Sequence, residues 1–429
     1  MLDPDLEPRS APYGAVRRFG WGLGDQALSS LTNFALGLLV ARSVGTTQLG
    51  DFALAFNTYL VALTLSRVFS TEPLIIRYSA CSEEEWRRAS RAATATGAFF
   101  GLVSGAMSAL AGVAIGGSVG MTFIALGATL PGLLVQDAWR FVFFARSSGG
   151  RAFVNDLIWG ISLVVLFVMA HVSGRDSVAY LTAAWGAAAG VAAVAGAFQA
   201  RLVPAPRLVR GWFAGNRALS MPLLGDAGIR LASGNLAVYL VAVIAGLGAL
   251  GSLRAAGILL GPTTMIILGL GLVAVPEGAQ RLAQSPEKLR RSSVVVSSVA
   301  GIIALAWGVF VFLLPPSVGR ALIGVSWDSA HPLLIPLTIS SASAAAAVGA
   351  TSGLKALQAA GRIFRTGIVE GAIAISIVVI GASWGGATGI ARAAAVGGIL
   401  MTLIWWRQFT KTLRERRFTQ LGAQGTRSE

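Results

Sequence analysis

The chain has 429 residues, of which 55% are apolar and only 12% charged, and its mean hydropathy is +0.70. Soluble domains carry about 25% charged residues, so a water-facing surface of ordinary size and a soluble catalytic domain are both excluded. The formal net charge of +15 does not point to nucleic acid, because the excess basic residues fall in alternate joints between apolar runs.

A membrane span needs about 20 apolar residues to cross a ~30 Å hydrocarbon core. Twelve runs meet that requirement, at about 20–41, 50–76, 93–115, 121–145, 153–172, 178–201, 221–247, 252–276, 292–314, 330–354, 366–382 and 385–406. Runs of this length and continuity predict helices; barrel strands would alternate over roughly 10 residues. The first span carries Asp25, so it is expected to stay as an anchor and not to be cleaved as a signal peptide. The stretch 79–92 reads as a short interfacial helix carrying Trp86, with Glu83, Glu84 and Glu85 as its solvated face. Trp21, Trp212, Trp405 and Trp406 are expected at inner membrane edges, and Trp327 and Trp384 at outer ones.

Most of the 34 basic residues sit in every second joint. Arg77, Arg87, Arg88 and Arg91 fill one such joint; Arg201, Arg207, Arg210 and Arg217 another; Arg407, Lys411, Arg414, Arg416 and Arg417 a third. The intervening joints hold one each (Arg42, Arg175, Arg254, Arg320) or none. Basic residues near span ends are retained on the cytoplasmic side. The expectation is an all-α polytopic membrane protein with 12 transmembrane helices and both termini cytoplasmic, its basic loops facing anionic lipid. Cys81 is the only cysteine, so no intrachain disulfide or cysteine metal site can form, and His171 and His331 read as solvated outer-loop residues.

The two halves look alike. Leu23-Gly24-Asp25 opens the first span and Leu224-Gly225-Asp226 the seventh; Gly45 corresponds to Gly248, and Pro73 to Pro276. The spacing predicts two six-helix lobes, 20–202 and 220–406, between a segment 1–19, a basic linker 203–219 and a basic tail 407–429. Repeats entering from one membrane side are related by an axis along its normal, and transporters place substrate between repeats near the midplane.

A charge at mid-bilayer costs about 2.5–3.5 kcal/mol on insertion scales, so it needs a partner, a cavity or an interface. Arg67, Arg140, Arg230 and Arg392 fall within spans. Asp25, Ser29 and Thr32 form one helical stripe, Asp226, Arg230 and Ser233 a second, and Asn57, Thr64, Arg67 and Thr71 a third. A wet cleft between lobes would account for all three. Each charge also has a structural reading. Asp226 with Arg230 and Asp137 with Arg140 can neutralise each other on one helix, Asn155 and Asp156 can cap the fifth span, and Arg67 can pair with Asp25. Glu72 and Glu277 lie near inner edges, Glu370 inside the eleventh span, and Arg392 has only small neighbours. No phosphate-cradling loop with lysine, no zinc-binding helix motif and no nucleophile elbow is present. Neither enzymatic activity nor a cofactor is expected.

Residues 22–77 carry a more specific signal. A span ends in Ala41-Arg42, Gly45 and Gly50 bracket a short turn, and Phe52-Ala53 open an aromatic-alanine span. This segment resembles the start of bacterial polysaccharide flippases, in the superfamily that also holds the multidrug and toxin extrusion antiporters and the lipid II flippase. That family often has Pro-Glu in the turn; here Thr46-Thr47 stand there. The resemblance implies a MATE-like fold in the bacterial cytoplasmic membrane and an undecaprenyl-diphosphate-linked oligosaccharide moved by alternating access. For that cargo the intramembrane charges and stripes above nominate Arg67, Arg230, Arg392, Arg140 and Asn57 for the substrate, and Asp25 and Asp226 for coupling with H+ or Na+. Membrane lipid, glycosyltransferases and a polymerase are the partners it suggests. Two other readings stand beside it: a multidrug antiporter of the same superfamily, and a non-transporting scaffold for glycan-assembly enzymes.

Overall fold

The computed structural model describes the backbone of residues 12–425, and their side chains except at 12–27, 226, 229–234, 266, 268, 272 and 417–425. Among the described residues there is no strand. Nine helical stretches there are long and apolar enough to cross a membrane, and the chain is a multi-pass membrane protein. The expected spans 366–382 and 385–406 run through one of the nine. The first and seventh pass through helices whose side chains are partly outside the described residues.

Two compact units are present: residues 1–36 with 55–229, and residues 37–54 with 230–429. The first unit takes α1 (Pro12–Ser43) up to residue 36 and α2 (Thr46–Phe69) from residue 55, followed by α3 (Thr71–Tyr78), α4 (Glu83–Ile115), α5 (Gly117–Ala145), α6 (Gly149–Val172) and α7 (Val178–Ala200), while the end of α1 and the start of α2 belong to the second. The second contains α9 (Gly246–Leu259), α10 (Gly261–Gln284), α11 (Pro286–Phe312), α12 (Pro316–Ile323), α13 (Ser326–Ala346), α14 (Val348–Ala356) and α15 (Ala360–Gly425). Between them α8 (Val209–Ile244) crosses the boundary of the two units at residue 229.

Small residues set the packing of the first unit. A Cβ on Gly105 of α4 would stand 2.5 Å from the Gly127 carbonyl oxygen of α5, and one on Gly127 equally close to the Gly105 oxygen. Gly101 against Pro131 and Gly112 against Gly120 repeat the pattern along the same helix pair. Close approach of this kind drives helix association in lipid, where no hydrophobic force separates helix from solvent. The second unit uses the device at the corner between α1 and α2: Gly50 abuts the Leu247 backbone and Gly251 that of Thr46. The two corners that sequence paired by offset therefore pack on each other. In α15 the chain turns back at Gly385 and Gly386, where Gly386 takes φ 54°, and Gly381 packs on Gly389 across the bend.

The stretch 79–92 is not a separate interfacial helix. Ser82 and Glu85 form a reciprocal capping box that starts α4 at Glu83, and no Gly or Pro interrupts the 13 residues that follow. The helix of 33 residues is roughly 50 Å long, longer than the bilayer core. Trp86 is buried in a core cluster with Leu74, Trp139, Phe143 and Trp212. Glu83 is not merely solvated: it pairs with Arg146 at 2.6 Å.

Breaks within spans follow one rule. Pro73 has no N–H, so the carbonyl of Phe69, four residues earlier, loses its helical donor. The Trp212 indole N–H donates to that oxygen at 2.8 Å. Trp307 donates to Leu259 at 3.0 Å and Trp406 to Ala346 at 2.9 Å. Phe69, Leu259 and Ala346 are the last residues of α2, α9 and α13. Trp212 and Trp406 thus act as internal caps and not only as belt residues. Losing such a partner leaves a buried carbonyl unsatisfied, at about 1–3 kcal/mol. Trp212→Phe should lower the melting temperature in detergent by several degrees, whereas Trp384→Phe, at a site 85% exposed, should leave it unchanged.

Candidate functional site

A cavity of about 350 Å³ opens inside the first unit. On α2, Phe56, Tyr59, Leu63 and Arg67 fall on one helical face and line it. On α5, Gln136, Asp137, Arg140, Phe141 and Phe144 do the same. Ser29 and Asn33 of α1 and Trp159 of α6 complete the wall.

Arg67 does not stand alone, and within the described residues its partner lies on another helix than α1. Its Nε donates to Asp137 Oδ2 at 2.9 Å and its Nη2 to Asp137 Oδ1 at 2.6 Å. This is the two-pronged geometry in which a guanidinium grips a carboxylate most strongly. Asp137 is nearly buried, 8% exposed, while Arg67 is 33% exposed toward the cavity. The Arg67 guanidinium carbon lies 5.0 Å from the Phe141 ring centre, a cation–π distance. Nη1 carries two further N–H groups with no hydrogen-bond partner among the described residues.

Asp137 therefore does not neutralise Arg140 along α5. Arg140 reaches Asp156 of α6, Nε to Oδ2 at 3.4 Å, with its guanidinium 5.7 Å from the Phe144 ring centre. Nor do Asn155 and Asp156 cap a helix: α6 begins at Gly149, and both lie two turns inside it, buried. Gln136 Nε2 donates to Asp156 Oδ1 at 2.8 Å and to Asn155 Oδ1 at 3.3 Å. Asn155 Nδ2 in turn donates to the Ala192 carbonyl of α7 at 2.8 Å and to Gln199 Oε1 at 3.2 Å. The two guanidiniums are thus balanced by two carboxylates and braced across α2, α5, α6 and α7. Tyr59 meets the Trp185 ring edge-on at 5.0 Å, with Phe56 5.6 Å from the same ring.

Other sequence-nominated residues are distributed differently. Asn57 is buried and does not line this cavity. Asp25, Asp226 and Arg230 lie outside the residues whose side chains are described. Arg392 is exposed and falls on one stripe of α15 with the exposed Val396, Ile399 and Leu403. The cavity of about 330 Å³ in the second unit is lined from the other side of that helix arm, by Ala394, Gly397, Met401 and Trp405, and by Glu370. That stripe is one a lipid-facing surface would present, so Arg392 does not join the second unit's cavity. The sequence left Gln136 and Tyr59 unremarked; both show only as members of a helical face that includes a charge. Among the described residues no group of three His, Cys, Asp or Glu could hold a metal.

No family model matches the chain, and no curated protein matches it. Solved structures do. An inward-facing multidrug resistance MATE family transporter of the MOP superfamily aligns at 15% identity over 91% of this chain and 96% of its own, with a TM-score of 0.65. The lipid II flippase MurJ, in an inward closed conformation, aligns at 11% identity over 92% and 89%, with a TM-score of 0.69. A MOP superfamily transporter from Pyrococcus furiosus, described as having a binding pocket of reverse polarity, aligns at 15% identity over 94% and 95%, with a TM-score of 0.53. At these identities the likeness establishes a shared fold, that of MOP superfamily transporters.

Removing one member of a buried ion pair strands the other. Arg67→Met should therefore destabilise the protein by about 1–3 kcal/mol, and Arg67→Met with Asp137→Leu should recover most of the loss, a coupling typical of directly contacting groups. Thermal unfolding of the two single variants and the double variant measures this; additive losses would remove the pair from the account.

Proposed function

We propose that the protein is a flippase that carries a diphosphate-linked lipid oligosaccharide across the cytoplasmic membrane of a bacterium by alternating access. The observation that carries this reading is the Arg67 guanidinium, gripped through Nε and Nη2 by Asp137 while Arg67 lines an open, aromatic-walled cavity. A diphosphate leaving headgroup water needs fixed cations that keep their charge, and arginine offers a permanently protonated planar fork. Arg67 is assigned to the diphosphate, with Arg140 beside it. Arg230 is the corresponding candidate of the second unit on sequence alone. The polar glycan travels in the wet cavity and the polyprenyl tail stays in lipid. Asp25 and Asp226, which open equivalent spans, are assigned to H+ or Na+ coupling. Glycosyltransferases and a polymerase are the partners such a cargo requires.

A second reading has an observation of its own. Phe56, Tyr59, Phe141, Phe144 and Trp159 line the cavity together with the Asp137 carboxylate, and aromatic faces beside a carboxylate suit organic cations. That arrangement fits a multidrug antiporter.

Reconstitution in liposomes separates the two. A fluorescent polyprenyl-diphosphate glycan should cross faster with protein than without. Arg67→Ala should slow it by roughly tenfold or more, and Arg67→Lys should restore part of the rate, since lysine keeps the charge without the fork. Undiminished flipping by Arg67→Ala would remove that residue from the site. Resistance to cationic drugs in expressing cells, with no movement of the glycan lipid, would favour the antiporter.

A further inference from the structure

A second opening of the first unit lies away from the Arg67 cavity. It is a pocket of about 510 Å³ where the start of α4, the end of α3 and the turn Pro206–Leu208 with the first turns of α8 come together. These segments are two of the arginine-rich joints, which the charge alternation assigns to the cytoplasmic side.

Most arginines of the α4 face are already engaged. Arg77 donates to the Gly215 carbonyl at 2.8 Å and to Asn216 Oδ1 at 3.1 Å. Arg87 donates to the Arg201 carbonyl at 3.3 Å and Arg91 to that of Val203 at 3.2 Å, answering carbonyls left open where α7 ends. Arg146 pairs with Glu83 and stacks over Trp86. Two remain. Arg88 and Arg207 have no hydrogen-bond or ion-pair partner among the described residues, both are exposed, and both line the pocket. They come from different elements, α4 and the 206–208 turn, so the fold brings them to one opening. Glu85 also lines it, with its carboxylate turned to the Ser82 backbone and hydroxyl in the capping box. The pocket keeps a net positive charge.

Part of its wall is apolar. Trp212 directs its indole N–H away, to the Phe69 carbonyl, and its ring lies 5.4 Å from that of Tyr78. Ala89, Ala92 and Leu208 add wall. The Tyr78 hydroxyl has no hydrogen-bond partner among the described residues and is a third available donor. Two unengaged guanidiniums, a phenol and an apolar floor at the membrane surface match a phosphate diester attached to glycerol and the first methylenes of an acyl chain.

We propose that this pocket binds the phosphate of an anionic phospholipid from the cytoplasmic leaflet. The site is distinct from the transport cavity and does not depend on the identity of the cargo. Native mass spectrometry of the purified full-length protein, titrated with phosphatidylglycerol, phosphatidylcholine or inorganic phosphate, tests it. Wild type should retain phosphatidylglycerol in preference to phosphatidylcholine, whose choline cancels the phosphate charge. Arg88→Gln and Arg207→Gln should each weaken that binding by roughly fivefold, and the pair by more. Arg210→Gln with Arg217→Gln removes as much charge from α8 outside the pocket lining and should leave binding unchanged. Equal retention by the Arg88/Arg207 double variant, or equal retention of phosphatidylcholine by wild type, would overturn the proposal. Inorganic phosphate competing at millimolar concentration while the lipid shows no preference would overturn the assignment to lipid. Arg88 and Arg207 touch no protein partner, so melting temperature should stay at the wild-type value and the singles remain interpretable if the double does not fold.

Discussion

Lipid offers no hydrogen bonds, and that single fact organises the described helices. Every place where a span is interrupted must supply its own donors. At the ends of α2, α9 and α13 the donor is an indole N–H from a tryptophan 48 to 143 residues away in sequence. Tryptophan suits the task because it has one donor, no acceptor and a large apolar body that closes the gap beside the break. Ser220, whose hydroxyl donates to the Val68 carbonyl at 3.0 Å, assists at the same α2 break. The bend between α2 and α3 is thus held by contacts with α8, and so is the direction of the span that carries Arg67.

The same constraint bears on the charges. Arg67 with Asp137 and Arg140 with Asp156 would each be costly singly inside a span. Yet a buried ion pair is a poor source of stability: apolar residues of similar volume often serve folding as well or better. Packing of α5 against α4 and α7 rests on Gly101, Gly105, Gly132 and their partners, with no need of an arginine. Ionic groups concentrated on the cavity faces of α2, α5 and α6 are therefore better explained by what the cavity holds than by what the helices require.

Much of this architecture can be read from the chain alone, and the failures share a cause. Hydropathy finds the long apolar helices because it is a one-dimensional property. Arg67 stands out as a candidate because no acid lies within a turn of it on its own helix. Its partner could not be read, because Asp137 lies 70 residues away and the choice between it and Asp25 depends on which helices touch. Local rules then misled: Asp137 and Arg140 are three apart on one helix, yet each turns to a neighbouring helix where burial strengthens the attraction. Asn155 and Asp156 looked like caps because the apolar run begins near them, whereas α6 starts earlier at Gly149 and includes polar residues that face inward. Hydropathy marks where lipid begins; it does not mark where a helix begins. For Arg392 small flanking residues could not reveal that it lies outside the lining of the second unit's cavity.

For the carrier proposed above, a charge-balanced cavity has a consequence on the empty return. Moving an uncompensated arginine through a membrane potential costs about 2.3 kcal/mol per charge per 100 mV, and exposing it to low dielectric costs more. With Asp137 on Arg67 and Asp156 beside Arg140, the empty first-unit cavity has no net charge to move. In the flippase proposed above, an arriving phosphate would meet a guanidinium whose orientation is already fixed by Asp137 and Phe141, so little rotamer entropy would remain to be lost on binding. It also finds that carboxylate as a standing competitor, which keeps binding from becoming too tight to reverse. Release on the far side then needs only that water reach the pair and favour the original partner. A fixed cation with a resident counter-ion is the arrangement that the proposed reversible anion site would call for in a bilayer, whereas a bare arginine would either trap its cargo or fail to insert.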